Sequence, residues 1–322
     1  MTNSIPPADE SDTTQSDTTQ SDTTRVFDEH RELLIGVAYR VLGRVSDAED
    51  VVQEAWLRWA KVDPEEVTYP RSFLVRVTTR LAIDRLRRVK ARRESYVGPW
   101  LPEPLITSRD VAEDVALAES VSMAMLVVLE TLSPLERAVF VLREAFGMPY
   151  AEIAEILGRS DVAVRQLARR ARDHVRERAH RFETDQATRQ RVTERFLTAS
   201  TSGDLNALME VLSPGVTLVG DGGGRVLAPP RPIRGAEKVA RFLVAIQRPE
   251  HVARFFGTTA TVVAPHLRTH IVQVNGGPGI VVTYEGTPVT TIILDVSDSE
   301  VQTIHLVANP EKLLGLRAIE TL

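Results

Sequence analysis

The spacing of apolar residues changes once along this 322-residue chain, near Thr184, and that change limits the fold more than any other feature. Before it, apolar residues recur at helical spacing. After it, β-branched residues alternate with polar ones, the period of half-buried strands. The chain therefore carries helical units followed by an α+β unit, and its length accommodates two or three domains.

Residues 26–96 read as the first helical unit. Val52, Ala55, Trp56 and Trp59 form one buried stripe, and Asp50, Gln53 and Glu54 fall mostly off it. Ser46 and Glu49 have the spacing of a capping box at that helix's start. Asp63-Pro64 and Tyr69-Pro70 bracket a loop, and a long helix runs from about Ser72 to Arg93. Residues 97–117, with Gly98, Pro99, Pro102 and Pro104, lack periodicity and read as a linker. A second helical unit spans 118–183, where Ser133-Pro134 opens one helix. In 184–322, helices at 190–200 and 205–212 precede strands expected at 216–219, 258–263, 267–274, 280–284, 289–296 and 301–307, a curved antiparallel sheet. Residues 1–25 repeat a Ser-Asp-Thr-Thr unit that buries too little apolar area to offset ordering entropy, so a disordered tail is expected.

The formal net charge of −5 hides two basic blocks. Residues 1–24 alone hold Asp9, Glu10, Asp12, Asp17 and Asp22 and no Lys or Arg, which leaves the remaining chain neutral. Between Arg71 and Glu94 stand nine Lys or Arg against two acids, and between Arg159 and Arg181 eight Arg against three acids. Two such blocks suit a chain that touches phosphates in two places; two solvated helix faces are the plainer alternative. The chain has no cysteine, which excludes disulfides, thiolate metal sites and cysteine nucleophiles. No cofactor, metal site or membrane contact is expected. The longest apolar run, residues 123–129, is too short to span a bilayer, no signal peptide is visible, and a cytoplasmic setting is expected.

Residues 150–172 carry the most specific pattern, a short helix, Gly158 as the turn, Ser160 as an N-cap and a longer helix from Asp161. Ala154, Gly158 and Val164 stand at the offsets a helix-turn-helix needs. On a helical wheel Val164, Leu167, Ala168, Ala171 and Val175 point inward, and Arg165, Gln166, Arg169 and Arg170 point outward. Arg favours guanine and Gln adenine in the major groove, while Arg172, Arg176 and Arg178 are placed for phosphates. In the first unit Arg76, Arg80 and Arg87 share a face of the long helix and could track a backbone. Tyr69, Phe73 and Trp100 are candidate stacking platforms, with core the stronger reading for Phe73.

On these residues the chain resembles the RNA polymerase sigma factors of the extracytoplasmic-function type. Residues 47–58 (Asp-Ala-Glu-Asp-Val-Val-Gln-Glu-Ala-Trp-Leu-Arg) are similar to the part of sigma region 2 that docks on the polymerase β′ clamp. Residues 70–88 are similar to the rest of region 2, and Leu132 to Arg137 with the helix-turn-helix to region 4, which in relatives also meets the β flap. The resemblance implies that Asp50, Gln53 and Glu54 bind polymerase. It implies that region 2 opens the −10 element, with residues 61–70 as the base-capturing loop. It implies that Arg165, Gln166, Arg169 and Arg170 read the −35 element. Leu167 stands where relatives often carry Arg, so its neighbours would set specificity.

The part beyond region 4 resembles the SnoaL-like α+β cone through Phe196 and residues 203–218. Three segments look like marks of the sigma subgroup with this extension. They are Trp100-Leu101-Pro102-Glu103-Pro104, Asp221-Gly222-Gly223-Gly224-Arg225 and Asn309-Pro310-Glu311-Lys312-Leu313. The resemblance implies that they form a regulatory contact between domains. Asp221, His270, Asp295 and His305 are the acid–base candidates within the cone, where a small ligand could also sit, but no pair at proton-transfer reach follows from sequence and no catalytic residue is assigned. Two other readings stand beside the sigma factor, a helix-turn-helix regulator with the cone as ligand sensor, and a SnoaL-like enzyme with a DNA tether.

Overall fold

The computed structural model describes residues 11–62, 66–93, 96–107, 122–179, 184–226, 228–247 and 266–316. Helix α1, Ser11–Leu42, reaches back through the repeat where disorder was expected. Its anchor is tertiary. Trp59 Nε1 donates to the Thr23 carbonyl at 2.9 Å, and Phe27 meets Trp56 edge-on with ring centroids 5.1 Å apart. A helix nucleated by such packing extends at one backbone hydrogen bond per added residue.

Helix α2, Val45–Trp59, buries Val52, Ala55 and Trp59 of the expected stripe, while Trp56 is only partly buried and packs at the core's edge. Its expected capping box does not form. The N-cap is Arg44, which makes no side-chain cap, and the linker's Glu103 Oε2 accepts from the Val45 N–H at 3.1 Å instead. Helix α3, Pro70–Arg93, crosses α1 and α2.

After the linker come α4, Met123–Glu130, and α5, Pro134–Phe140, the latter opened by a Ser133–Glu136 capping box. A π-helical turn at Val141–Ala145 leads to α6, Tyr150–Leu157, and α7, Asp161–Ala179. Gly158 ends α6 at φ +62°, the left-handed conformation that the turn needs. The two helical units, separate in sequence, share one apolar core running from Phe27 to Val175. Arg137, fully buried, ties them: its Nε donates to the Arg40 carbonyl at 2.9 Å, and its Nη1 pairs with Glu130.

The remaining chain folds as α8, Gln186–Ser202, α9, Leu205–Val211, α10, Ala236–Ile246, and a six-stranded sheet. Its strands are β1, Leu212–Asp221, β2, Ile233–Arg234, β3, Leu267–Val274, β4, Gly277–Tyr284, β5, Thr287–Ser297, and β6, Glu300–Val307, in the order β2-β1-β6-β5-β4-β3. The sheet is mixed rather than antiparallel, because β1 and β6 pair in parallel. These are the first and last strands of the domain, joined only through the long excursion that carries α10 and the four other strands, and so long a connection permits parallel neighbours. The strand expected at 258–263 lies outside the described residues. Helix α10 was not anticipated, although Ala236, Val239, Ala240 and Leu243 have helical spacing and are all buried.

The sheet has two occupied faces. Helices α8 and α10 cover Ile280, Leu294 and Ile304. On the other face Val281, Ile293 and Val307 pack with Leu101 of the linker and Met123 of α4. The cone is thus built onto the helical body through the linker.

Candidate functional site

The outward face of α7 is as the wheel requires. Val164, Ala168, Ala171 and Val175 are buried and Leu167 packs against the same core, while Arg165, Gln166, Arg169 and Arg170 are exposed. Each arginine has an acidic neighbour: Arg165 with Asp161 at 2.7 Å, Arg169 with Asp173 at 3.8 Å, Arg170 with Glu136 at 3.6 Å and Arg172 with Glu144 at 3.8 Å. Arg176 is also exposed; the Arg178 side chain lies outside the described residues.

The α3 stripe divides. Arg87 is exposed beside Asp84, and Arg76 lies over the Phe73 ring. Arg80 is exposed but its guanidinium is already engaged. Its Nε donates to the Ile156 carbonyl at 2.7 Å, so it caps the last turn of α6 in the helix-turn-helix. Ser72 Oγ adds a bond to Glu152 at 3.1 Å, and Lys90 Nζ reaches the Glu130 and Leu132 carbonyls at 3.1 and 2.6 Å. Asp50, Gln53 and Glu54 are exposed on α2, and Asp50 pairs with Arg85 at 3.0 Å. Beside them, α1 and α2 line a cavity of about 480 Å³ that includes Phe27, Arg31, Gln53 and Trp56. Of the stacking candidates, Tyr69 is 73% exposed and Phe73 packs on Trp59. Trp100 is engaged elsewhere, with Lys312 Nζ 3.9 Å from its ring centroid.

The three marked segments of the linker and cone meet at one buried carboxylate. Asp221, at the end of β1, accepts from Tyr96 Oη at 2.6 Å and Gly223 N at 3.1 Å through Oδ1, and from Leu101 N at 2.8 Å and Lys312 Nζ at 2.6 Å through Oδ2. Lys312 also donates to the Leu101 carbonyl at 2.5 Å. Asn309 Nδ2 donates to Tyr96 Oη at 2.8 Å. Burial, then the Asp221 carboxylate, push the Tyr96 phenol well above its ordinary range. The glycines have a steric cause: a Cβ on Gly222 would sit 2.5 Å from the Val226 carbonyl, and one on Gly223 2.4 Å from the Asn309 side chain. Arg225 pairs with Glu311 at 2.5 Å on the exposed rim.

A second grip lies four residues along, and nothing in the motif spacing signalled it. Linker residues 105–107 add to the sheet's edge: Asn275 N donates to the Leu105 carbonyl at 2.8 Å, Thr107 N donates to the Gln273 carbonyl at 3.1 Å, and Ile106 bridges Val274 antiparallel. The Asn275-Gly276 turn has both residues at positive φ, the conformation of a tight hairpin. Asn275 Nδ2 donates to Tyr39 Oη at 2.7 Å, and Tyr39 donates to the Glu103 carbonyl at 2.8 Å. The tip of a cone hairpin thereby reaches α1. Between the two grips, Glu103 turns the other way and caps α2.

The acid–base candidates do not converge in the cone's helix-covered interior. Asp221 belongs to the seam, and His270 is exposed on edge strand β3. His305 Nε2 and Asp295 Oδ2 meet at 2.8 Å. Their chain neighbours Ile304, Leu294 and Val296 face the helices, so strand alternation puts the pair on the opposite face. Among the described residues no cluster of three metal-ligating side chains occurs, and no helix is long and apolar enough to cross a membrane.

Two predictions follow from the seam. Lys312→Met strands a buried carboxylate and should cost about 3–5 kcal/mol. Adding Asp221→Asn should recover part of that loss. Urea midpoints of the two single variants and the double variant measure the coupling, and strictly additive losses would show that the pair is not coupled. Glu103 is pushed up to about 7, first by burial, against the lowering effects of Arg44, the Val45 and Ser46 amides and Lys312. An acid raised in the folded state binds more protons there than when released, so its contribution is complete at low pH and is lost as pH rises toward 7. The urea midpoint should therefore fall between pH 5 and pH 7.5 by a component of about 1–2 kcal/mol that Glu103→Gln removes. Parallel pH profiles for the parent and Glu103→Gln would contradict this.

Comparison with known proteins matches these features to one family. Residues 26–93 match Sigma-70 region 2 and residues 122–175 match Sigma-70, region 4. The chain is 38% identical over 293 residues to the ECF RNA polymerase sigma factor SigJ of Mycobacterium tuberculosis, covering 90% of this chain and 92% of SigJ. It is 32% identical over 292 residues to the probable ECF RNA polymerase sigma factor SigI of that species, covering 90% and 94%. The crystal structure of M. tuberculosis SigJ superposes with a TM-score of 0.69 at 36% identity, covering 90% of this chain and 97% of that one. Helical regions 2 and 4 followed by a mixed-sheet cone are common to both. With both sigma regions matched in order and the likeness running through the cone, the chain belongs to the extracytoplasmic-function sigma factors, transcription initiation factors that act with core RNA polymerase at promoters.

Proposed function

We propose that this sigma factor divides promoter recognition between α7 and α3 and that its cone regulates it by holding the linker. The observation that carries the reading of α7 is its two-sided character: a buried Val164–Ala168–Ala171–Val175 seam beneath exposed Arg165, Gln166, Arg169 and Arg170. Side chains of these types on the N-terminal half of a recognition helix reach base edges, and Arg172 and Arg176 further along suit phosphates. On α2, the exposed Asp50, Gln53 and Glu54 form the acidic face we assign to the β′ clamp, with the helix-turn-helix unit against the β flap.

The closed packing of regions 2 and 4 supports the regulatory half of the proposal. Elements near −35 and −10 lie about 85 Å apart along B-form DNA, at roughly 3.4 Å for each of some 25 base pairs. Here Arg80 of region 2 and Ile156 of region 4 share a hydrogen bond of 2.7 Å. One molecule cannot keep that bond and occupy both elements. Opening frees Arg80 to join Arg76 on the downstream strand. It must also pull on the linker, whose residues 101–107 the cone grips at two points. In this reading the cone sets the cost of opening.

Two outcomes test the proposal. In run-off transcription with core polymerase, Arg165→Ala combined with Arg169→Ala should abolish selectivity for the upstream element, a loss of about 1–3 kcal/mol for each base contact; unchanged selectivity would remove the base-reading assignment. Ending the chain before Thr184 should change transcript yield several-fold at the same promoter, and identical yield would remove the regulatory role of the cone.

A further inference from the structure

Tyr150, the first residue of α6, is half-buried amid three arginines. The Arg143 guanidinium carbon lies 4.7 Å from its ring centroid, and that of Arg165 lies 4.8 Å away. Arg172 Nη2 donates to its hydroxyl at 3.2 Å. Two of these three side chains belong to the proposed DNA face, and they use different parts of the same tyrosine.

Arg165 is held on two sides. The Tyr150 ring supports the guanidinium plane, and Nε donates to Asp161 Oδ2 at 2.7 Å. Among the described residues neither Nη atom of Arg165 has a protein partner, so the end-on pair is available for the two acceptors of a guanine edge. A long side chain loses rotamer freedom when it binds, and a guanidinium already oriented by a ring and a carboxylate has less to lose. Arg143 is in turn fixed by donating to the Met148 carbonyl at 2.9 Å, so the ring itself sits on a rigid support.

We propose that Tyr150 is a positioning residue for DNA recognition, its ring orienting Arg165 toward a base and its hydroxyl orienting Arg172 toward a phosphate. This rests on the reading of those two arginines given above. It divides one residue's role into two chemically separable parts.

The test uses the full chain with core RNA polymerase and a promoter library randomised across the upstream element, with transcripts sequenced at two salt concentrations. Arg165→Ala should lower base preference at its position roughly ten- to hundredfold. Tyr150→Ala should lower preference several-fold at that same position and leave the others intact. Tyr150→Phe keeps the ring, so it should retain the base preference and reduce only the salt dependence, by up to about one unit of log–log slope. Unaltered preference in Tyr150→Ala, an equal loss at every position, or a Tyr150→Phe profile matching Tyr150→Ala would each overturn the proposal. Unaltered preference in Arg165→Ala would instead overturn the base-reading assignment beneath it, which separates the two failures.

Discussion

Lys312 and Asp221 meet 2.6 Å apart where neither side chain reaches water. An ion pair buried that deeply persists only if its other donors and acceptors are matched, since the desolvation cost of two charges rivals their attraction. Here the matching groups come from elsewhere in the chain: Tyr96 from the end of the first helical unit, the Leu101 backbone from the linker, and Gly223 from the turn after β1. Remove any one segment and the remaining charges are left short of partners. This dependence makes the three marked segments a single structural unit, and it fixes the linker's path. Once Leu101 is seated, Glu103 falls at the start of α2 and residues 105–107 fall along the edge of β3.

In the helical regions one side chain has a use in the closed chain that would exclude the DNA contact proposed for it. Arg80 belongs to a basic face on α3, yet its guanidinium satisfies carbonyls at the end of α6. Helix C-termini leave unsatisfied carbonyls and carry partial negative charge, so an arginine is well matched there in the closed chain. On an opened promoter the same group would meet phosphates. The buried Arg137 and the shared core around it stabilise the closed arrangement further. Free energy to separate the regions must then come from the surfaces that polymerase and DNA offer.

Local patterns in the sequence carried much of this. The Trp59 stripe, the Ser133 cap, the Gly158 turn and the inward face of α7 follow from spacing and residue type, and each holds in the structure. What local pattern missed was supplied by distant residues. Ser46 and Glu49 have capping-box spacing, but Glu103 reaches the Val45 amide first. The repeat before residue 25 lacks apolar surface, but Trp59 anchors its last turn through Thr23. The parallel β1–β6 pairing depends on the whole path between the strands, which no window of residues contains. Asn275-Gly276 is the residue pair of a tight hairpin turn, but that its tip reaches Tyr39 depends on how two domains stack. The motif segments were recognisable as a set, while the geometry joining them at Asp221 was not.

The central claim is that the chain rests closed and opens when it is seated on polymerase. The sequence contains no cysteine, so Arg88→Cys on α3 and Glu177→Cys on α7 give a clean pair of exposed labelling sites. Energy transfer between dyes at these positions measures the separation of regions 2 and 4 directly. The account predicts high transfer in the free protein and a large fall when core RNA polymerase is added. Equal transfer in the two states, or low transfer in the free protein, would contradict it.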